Sequence, residues 1–181
     1  MDFLHGGQGS QAEAWALFDS LEPVAVERLT GLWRGRELRA GCALEGLLTS
    51  CRWYGKRFID PEHVQPTIFA RPDGSLFAVN PSLLPMWPSL NRVPAGLMGR
   101  AFDLARPGLI TRGYHARLRA LECRGRVSAA MVYDRLPVID SFRRIDPDRL
   151  LGVMDLKGSP DSNLLFFTLE RPPAQKEENQ A

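Results

Sequence analysis

Cysteine and histidine are scarce in this chain, and neither is patterned. Across 181 residues there are three cysteines, Cys42, Cys51 and Cys123, an odd set without a CxxC pair, so neither a disulfide framework nor a zinc site is signalled. They read as buried thiols of a reducing compartment. The three histidines, His5, His63 and His115, have no metal-ligand spacing, and no HExxH, GxSxG or phosphate-loop pattern occurs. No metal is expected.

Charge of one sign is also lacking. The formal net charge is +2, which gives no field of the kind that nucleic-acid binding requires, so nucleic acid is not expected as a partner. Of the 23 basic residues only Lys56, Lys157 and Lys176 are lysines; base composition of the gene accounts for that skew more simply than anion recognition. No apolar run approaches the ~18 residues of a membrane span, and "MDFLHGGQGSQ" lacks the cationic and apolar regions of a secretory signal. Membrane insertion is not expected, and a cytoplasmic location is.

What is present has the composition of a globular domain, 44% hydrophobic and 24% charged, at a length that favours one core. Residues 1–9 are glycine-rich and read as loose. Ser10 and Glu13 have capping-box spacing, and Ala14, Leu17, Phe18 and Leu21 follow at helical period, predicting a helix from about Gln11 to Leu21. Pro23 turns the chain, and a short second turn leads to Gly31.

In "GLWRGREL" Gly31, Trp33, Gly35 and Glu37 share one face of an extended segment. Glycines on both sides of an indole suit a strand that bends sharply, or an indole that lies flat on backbone, as at a barrel corner. A second helix is predicted from about Ala43 to Arg52, and a strand begins near Trp53. "PTIFARPDGSLFAVN" reads as a hairpin around Pro72, Asp73 and Gly74. In residues 80–108, Pro81, Pro85, Pro88, Pro94 and Pro107 interrupt apolar pieces, which excludes long regular elements and suggests an irregular connection packed on the core, or a cap.

Five strand-length runs follow: Tyr114 to Cys123, Arg126 to Asp134, Val138 to Ile145, Leu151 to Lys157 and Leu164 to Arg171. Joined to the earlier strands they make about nine or ten, enough for a single closed or nearly closed antiparallel β-barrel with an N-terminal helix and short capping helices. The domain spans 10–171, with parts at about 25–80, 81–108 and 110–171; the tail 172–181 reads as disordered.

"TGLWRGREL" resembles the short GXWXG domain, and "RGRVSAAMVYDRLPVIDSFRRIDPDRLLGVMDLKG" resembles the bacterial domain of unknown function that usually follows it, family 4334 of that series. The resemblance covers most of residues 25–171 and implies no activity. A glycine-x-tryptophan on a first strand also resembles the lipocalin (calycin) group by architecture. That analogy implies that Trp33 plugs one barrel end between Gly31 and Gly35, with Arg171 as a stacking partner, and that the barrel takes a small apolar molecule.

Among chemical candidates, Asp134 and Asp146 sit beside turns and read as backbone caps. Asp140 shares a face with Val138 and Phe142 mid-strand, and a buried carboxylate there needs a partner. Asp155 and Lys157 form either an outer salt-linked edge or a polar anchor in the lumen. "WYGKRF" gathers Trp53, Tyr54, Lys56 and Arg57 as a barrel-mouth grip on an anion, or as a solvated cationic face. Arg117 and Arg119 share a face with His115, opposite the apolar one.

Three functions fit. The first is a carrier or sensor of a small apolar molecule, with Tyr54, Met131, Tyr133 and Phe142 lining a lumen and Asp140, Asp155 or Lys157 anchoring a polar end. The second is an isomerase or hydrolase in which Asp140 is the general base beside an arginine. The third is an interaction module with a filled barrel. No cofactor is expected, haem through His115 being a remote option, and association into a homodimer is left open.

Overall fold

The computed structural model describes residue 4, residues 7–84 and residues 93–173, with the side chain of Ala95 excepted. Residues 174–181 of the expected tail, most of the expected loose start, and Pro85 and Pro88 lie outside the described residues. The ten strands are β1 (Gly31–Glu37), β2 (Trp53–Phe58), β3 (Val64–Ala70), β4 (Leu76–Val79), β5 (Ile110–Thr111), β6 (Ala116–Cys123), β7 (Arg126–Tyr133), β8 (Val138–Asp146), β9 (Arg149–Leu156) and β10 (Leu165–Glu170). They form one antiparallel sheet in the order β2-β1-β10-β9-β8-β7-β6-β3-β4-β5.

A further pairing of β2 with β3 brings the sheet back on itself, so eight strands follow one another in a barrel-like ring, while β4 and β5 branch from β3. The joint between β3 and β6 is thin. It has one register pair, Val64 with Ala116, supported by Leu118 N–H donating to the Pro61 carbonyl at 2.7 Å. The ring's other joints are antiparallel ladders of three to eight register pairs, the longest being β6–β7 and β8–β9, whose strands are joined by short turns.

The pleat sends alternate side chains inward and outward. Inside lie Trp33, Phe58, Met131, Phe142, Leu165, Phe167 and Leu169, all buried in one cluster. Outside, α1 (Gln11–Ser20) lies on β9 and β10, where Ala14 and Phe18 pack with Leu151, Val153, Leu164 and Phe166. This second layer explains why "LLGVM" and "LLFFTL" are apolar without alternation: both faces of those strands are covered. The helix starts as its sequence demands, with Ser10 and Glu13 forming a reciprocal capping box.

Over the ring's edge lie α2 (Leu47–Ser50) and α3 (Ala95–Leu109). Two expectations are corrected here. The helix predicted from Ala43 to Arg52 is a single turn, because the chain enters it through Gly46 in a left-handed conformation at φ 81°. The prolines do not exclude a long element: α3 has 15 residues, Pro94 stands at its N-cap, and Pro107 falls in its last turn, where little hydrogen bonding remains to be lost. Phe102, on the same face as Met98, packs on Phe69 with ring centroids 4.7 Å apart.

Candidate functional site

The site begins with the two glycines around Trp33. At Gly31 (φ 118°) a Cβ would stand 3.1 Å from Arg171 Nη1. The Arg171 guanidinium lies 4.2 Å from the Trp33 ring and donates to the carbonyls of Thr30 (3.0 Å) and Arg28 (2.7 Å). Trp33 is buried, and its Nε1–H donates to the Leu29 carbonyl at 2.6 Å. The indole and guanidinium thus form a stacked floor at that end of the ring. The space at Gly35 belongs to another residue than the spacing suggested: a Cβ there would stand 2.3 Å from the ring of Trp53.

Strand β2 then does something that alternation forbids. Trp53 and Lys56 are three positions apart, yet both are buried and both line one internal cavity. The β2–β3 register shifts on both sides of Gly55, which marks a bulge, and Gly55 has φ 148°. A bulge inserts one extra residue and re-aims everything after it. Without it Lys56 would share the outward face of Tyr54; with it, the ammonium enters the lumen opposite Trp33, its register partner on β1.

Inside, Lys56 Nζ stands 2.7 Å from Asp140 Oδ2 of β8, with Asp140 0% and Lys56 3% exposed. The angles of this contact are poor for a hydrogen bond, so it is an ion pair rather than an aligned donor–acceptor contact, and neither Oδ1 nor Oδ2 has a hydrogen-bond partner among the described residues. The ammonium also donates to the Pro66 carbonyl at 3.3 Å and lies 5.0 Å from the Phe167 ring centroid and 5.6 Å from that of Trp53. Burial pushes the Asp140 carboxyl above its ordinary range against the lowering influence of Lys56. Burial first, and the Asp140 charge second, push the Tyr133 phenol well above its own.

These groups line a cavity of about 50 Å³ whose remaining wall is almost wholly apolar, including Leu47, Leu48, Leu84, Met154 and Phe167. Leu47, Leu48 and Leu84 also line a second, larger apolar groove of about 570 Å³ under α3, which continues over Phe69, Met98 and Phe102. These three leucines are thus common to the walls of both spaces.

Of the residues singled out in the sequence, Trp53, Lys56, Tyr133 and Asp140 meet at this cavity. Met131 and Phe142 are buried in the same core, Met131 as the register partner of Asp140. Tyr54 is half-buried on the outward side of the bulge and does not line the cavity. Asp155 and Lys157 are exposed on the outer face, which corrects a lumenal position for them: the Gly152–Met154 alternation sends Met154 inward and leaves its neighbour outside.

The cation beside Asp140 is Lys56 and not an arginine. Arg117 and Arg119 point outward to Asp134 and Glu62. Asp146 accepts from the Asp148 N–H at 3.0 Å, a turn contact. His115 contacts the Thr111 hydroxyl at 3.1 Å and is absent from the cavity wall. Cys42 and Cys51 are buried, and burial raises the Cys51 thiol to about 11, which keeps it protonated and inert. Among the described residues no group of His, Cys, Asp and Glu is placed to hold a metal.

Lys56, expected as a mouth or surface cation, lies instead inside the ring. Its signal was there in a weak form: a glycine inside a strand, the usual mark of a bulge.

The family model described as GXWXG protein matches residues 16–74, and that described as a domain of unknown function (DUF4334) matches residues 114–171. No curated protein matches. The crystal structure of a protein from Thermomonospora curvata is similar over 92% of this chain and 90% of that one, with 37% sequence identity and a TM-score of 0.68. The chain therefore belongs to the family in which a GXWXG segment is followed by this domain of unknown function.

Proposed function

We propose that the protein binds a small apolar molecule by its polar end, the end lying against Lys56, Asp140 and Tyr133 and the hydrocarbon body running out past Leu47, Leu48 and Leu84 into the groove under α3. The observation that carries this reading is the buried Lys56–Asp140 pair in the wall of an otherwise apolar cavity. Such a pair is a poor device for stability, since well-packed hydrophobic residues in its place are commonly neutral or better. A pair kept there at that cost is accounted for by a ligand group that it orients.

Size supports the division of the ligand into head and body. The inner space of about 50 Å³ is small beside the roughly 300 to 1,000 Å³ of ordinary ligand pockets, whereas the groove of about 570 Å³ is of that order. The test is native mass spectrometry of the purified protein, together with titration of the neutral fluorescent probe 1-N-phenylnaphthylamine. A retained small mass, or probe fluorescence that saturates and is lost in Leu48→Arg, is the expected result. The absence of both a retained mass and a saturable signal overturns the reading.

A second reading, an isomerase with Asp140 as general base, is favoured by one observation: its carboxyl, raised by burial, stands on the cavity wall with Lys56 beside it to stabilise developing negative charge. Exchange of ligand hydrogens with D₂O, lost in Asp140→Asn, would establish it. A ligand recovered without deuterium leaves binding alone.

A further inference from the structure

The chemistry of the inner cavity narrows the class of head group, an inference that rests on the binding reading above. Lys56 and Asp140 neutralise one another, so the site as a whole carries no net charge. Among the described residues the only other titratable group on the wall is Tyr133, whose phenol stays protonated. A carboxylate head would enter as a third buried charge, unpaired and close to the negative Asp140. An ammonium head would meet Lys56 in the same way. Both lose their hydration without a counter-ion of their own.

A neutral head fits, and the hydrogen-bond inventory says which. The ammonium has three N–H donors, of which the Pro66 carbonyl at 3.3 Å takes one, while Asp140 Oδ2 at 2.7 Å is an ion-pair contact out of hydrogen-bond alignment. At least one donor is left. Asp140 Oδ1 is buried and has no hydrogen-bond partner among the described residues, and its neighbours on the strand face and across it, Val138, Phe142, Met131 and Met154, offer no donor. The site therefore presents an unused ammonium donor and an unsatisfied carboxylate acceptor side by side. A carbonyl answers only the donor and leaves the carboxylate unsatisfied. A hydroxyl answers both.

We propose that the ligand is an apolar alcohol, whose hydroxyl oxygen accepts from Lys56 Nζ while its O–H donates to Asp140 Oδ1.

The test is competition against bound 1-N-phenylnaphthylamine at pH about 7.5, where a fatty acid is ionised, with three ligands of equal chain length: 1-decanol, 2-decanone and decanoate. The expected result is half-displacement by 1-decanol at a concentration about tenfold or more below that of either of the others, the discrimination expected when a buried polar group is left unpaired. In the double variant Lys56→Met/Asp140→Leu, which leaves no lone buried charge, probe binding is expected to persist and the ranking of the three to vanish. Decanoate or 2-decanone equalling or surpassing 1-decanol in the unaltered protein overturns the hydroxyl assignment and leaves the binding reading standing. A ranking that survives in the folded double variant also overturns it. Displacement by none of the three, with no probe binding, overturns the binding reading itself.

Discussion

A β-carbon on Gly55 would stand 2.0 Å from the carbonyl oxygen of Trp33 and 2.7 Å from the Gly35 nitrogen, so β1 and β2 approach there as only a glycine allows. The same residue has φ 148°, which L side chains rarely adopt. The bulge that turns Lys56 into the lumen is thus held by a backbone contact and a backbone conformation together. Gly55→Ala is expected to lose on the order of 3 kcal/mol or more of stability, by urea denaturation, because the obstacle is rigid backbone with nowhere to move.

The ion pair makes a sharper prediction, since single and double replacements should differ in sign. Lys56→Met alone or Asp140→Leu alone strands a buried charge or forces its neutralisation, at about 3 to 5 kcal/mol each. The double variant is expected to lie between the parent and about 4 kcal/mol above it. Denaturation midpoints of the four proteins at neutral pH give the cycle directly, and additive losses would show that the pair is not coupled.

Gly35 and Trp53 supply a second cycle. A Cβ at position 35 meets the Trp53 ring at 2.3 Å, so Gly35→Ala should cost roughly 1 to 3 kcal/mol as overpacking. In a Trp53→Leu background the obstructing ring is gone, and most of that cost should disappear. The coupling, read from the same denaturation measurements, is expected to be favourable to the double variant by about 1 kcal/mol or more.

The dependence of stability on pH follows from carboxyls moved in opposite directions. Burial raises Asp140 and Glu37, the latter against hydrogen bonds donated by Thr49 and Leu48. A carboxyl with a raised folded-state pKa binds its proton more tightly in the folded chain, so its contribution is present at low pH and is lost as pH rises through that pKa. Asp19, lowered chiefly by its hydrogen bonds from Arg124, acts the other way: its contribution is lost as pH falls through its folded pKa. The melting temperature is therefore expected to be highest within the ordinary carboxyl range, between the lowered and the raised groups, and to fall on either side. Glu37→Gln should flatten the limb toward neutrality; an unchanged limb would remove Glu37 as its source.

Much of this architecture can be read from side-chain period alone. The meander strands fall within a few residues of their apolar runs, because each is bounded by turn formers such as Arg124-Gly125 and Pro147-Asp148. The inward face of β8 follows from Val138, Asp140 and Phe142 at spacing two. What period cannot show is any place where it is broken. At Gly55 an inserted residue reverses the faces, so the partner of Asp140 was legible as a cation near a strand but not as a lumenal one. At α3 proline content outweighed the helical spacing of Met98, Phe102, Ala105 and Leu109, although Pro94 and Pro107 sit where a helix tolerates them. That three leucines line both spaces is a matter of tertiary distance, on which sequence spacing is silent.

The thin β3–β6 joint has a wider consequence. The ring consists of two arcs, β1 to β3 and β6 to β10, and these coincide with the two segments that the family models match separately. Besides that single register pair they meet along β1 and β10. Lys56 belongs to one arc and Asp140 to the other, so the charge pair is a clasp across the closure. Neither half of the gene encodes the charge pair alone, and any expressed fragment that stops between them would carry one unmatched charge.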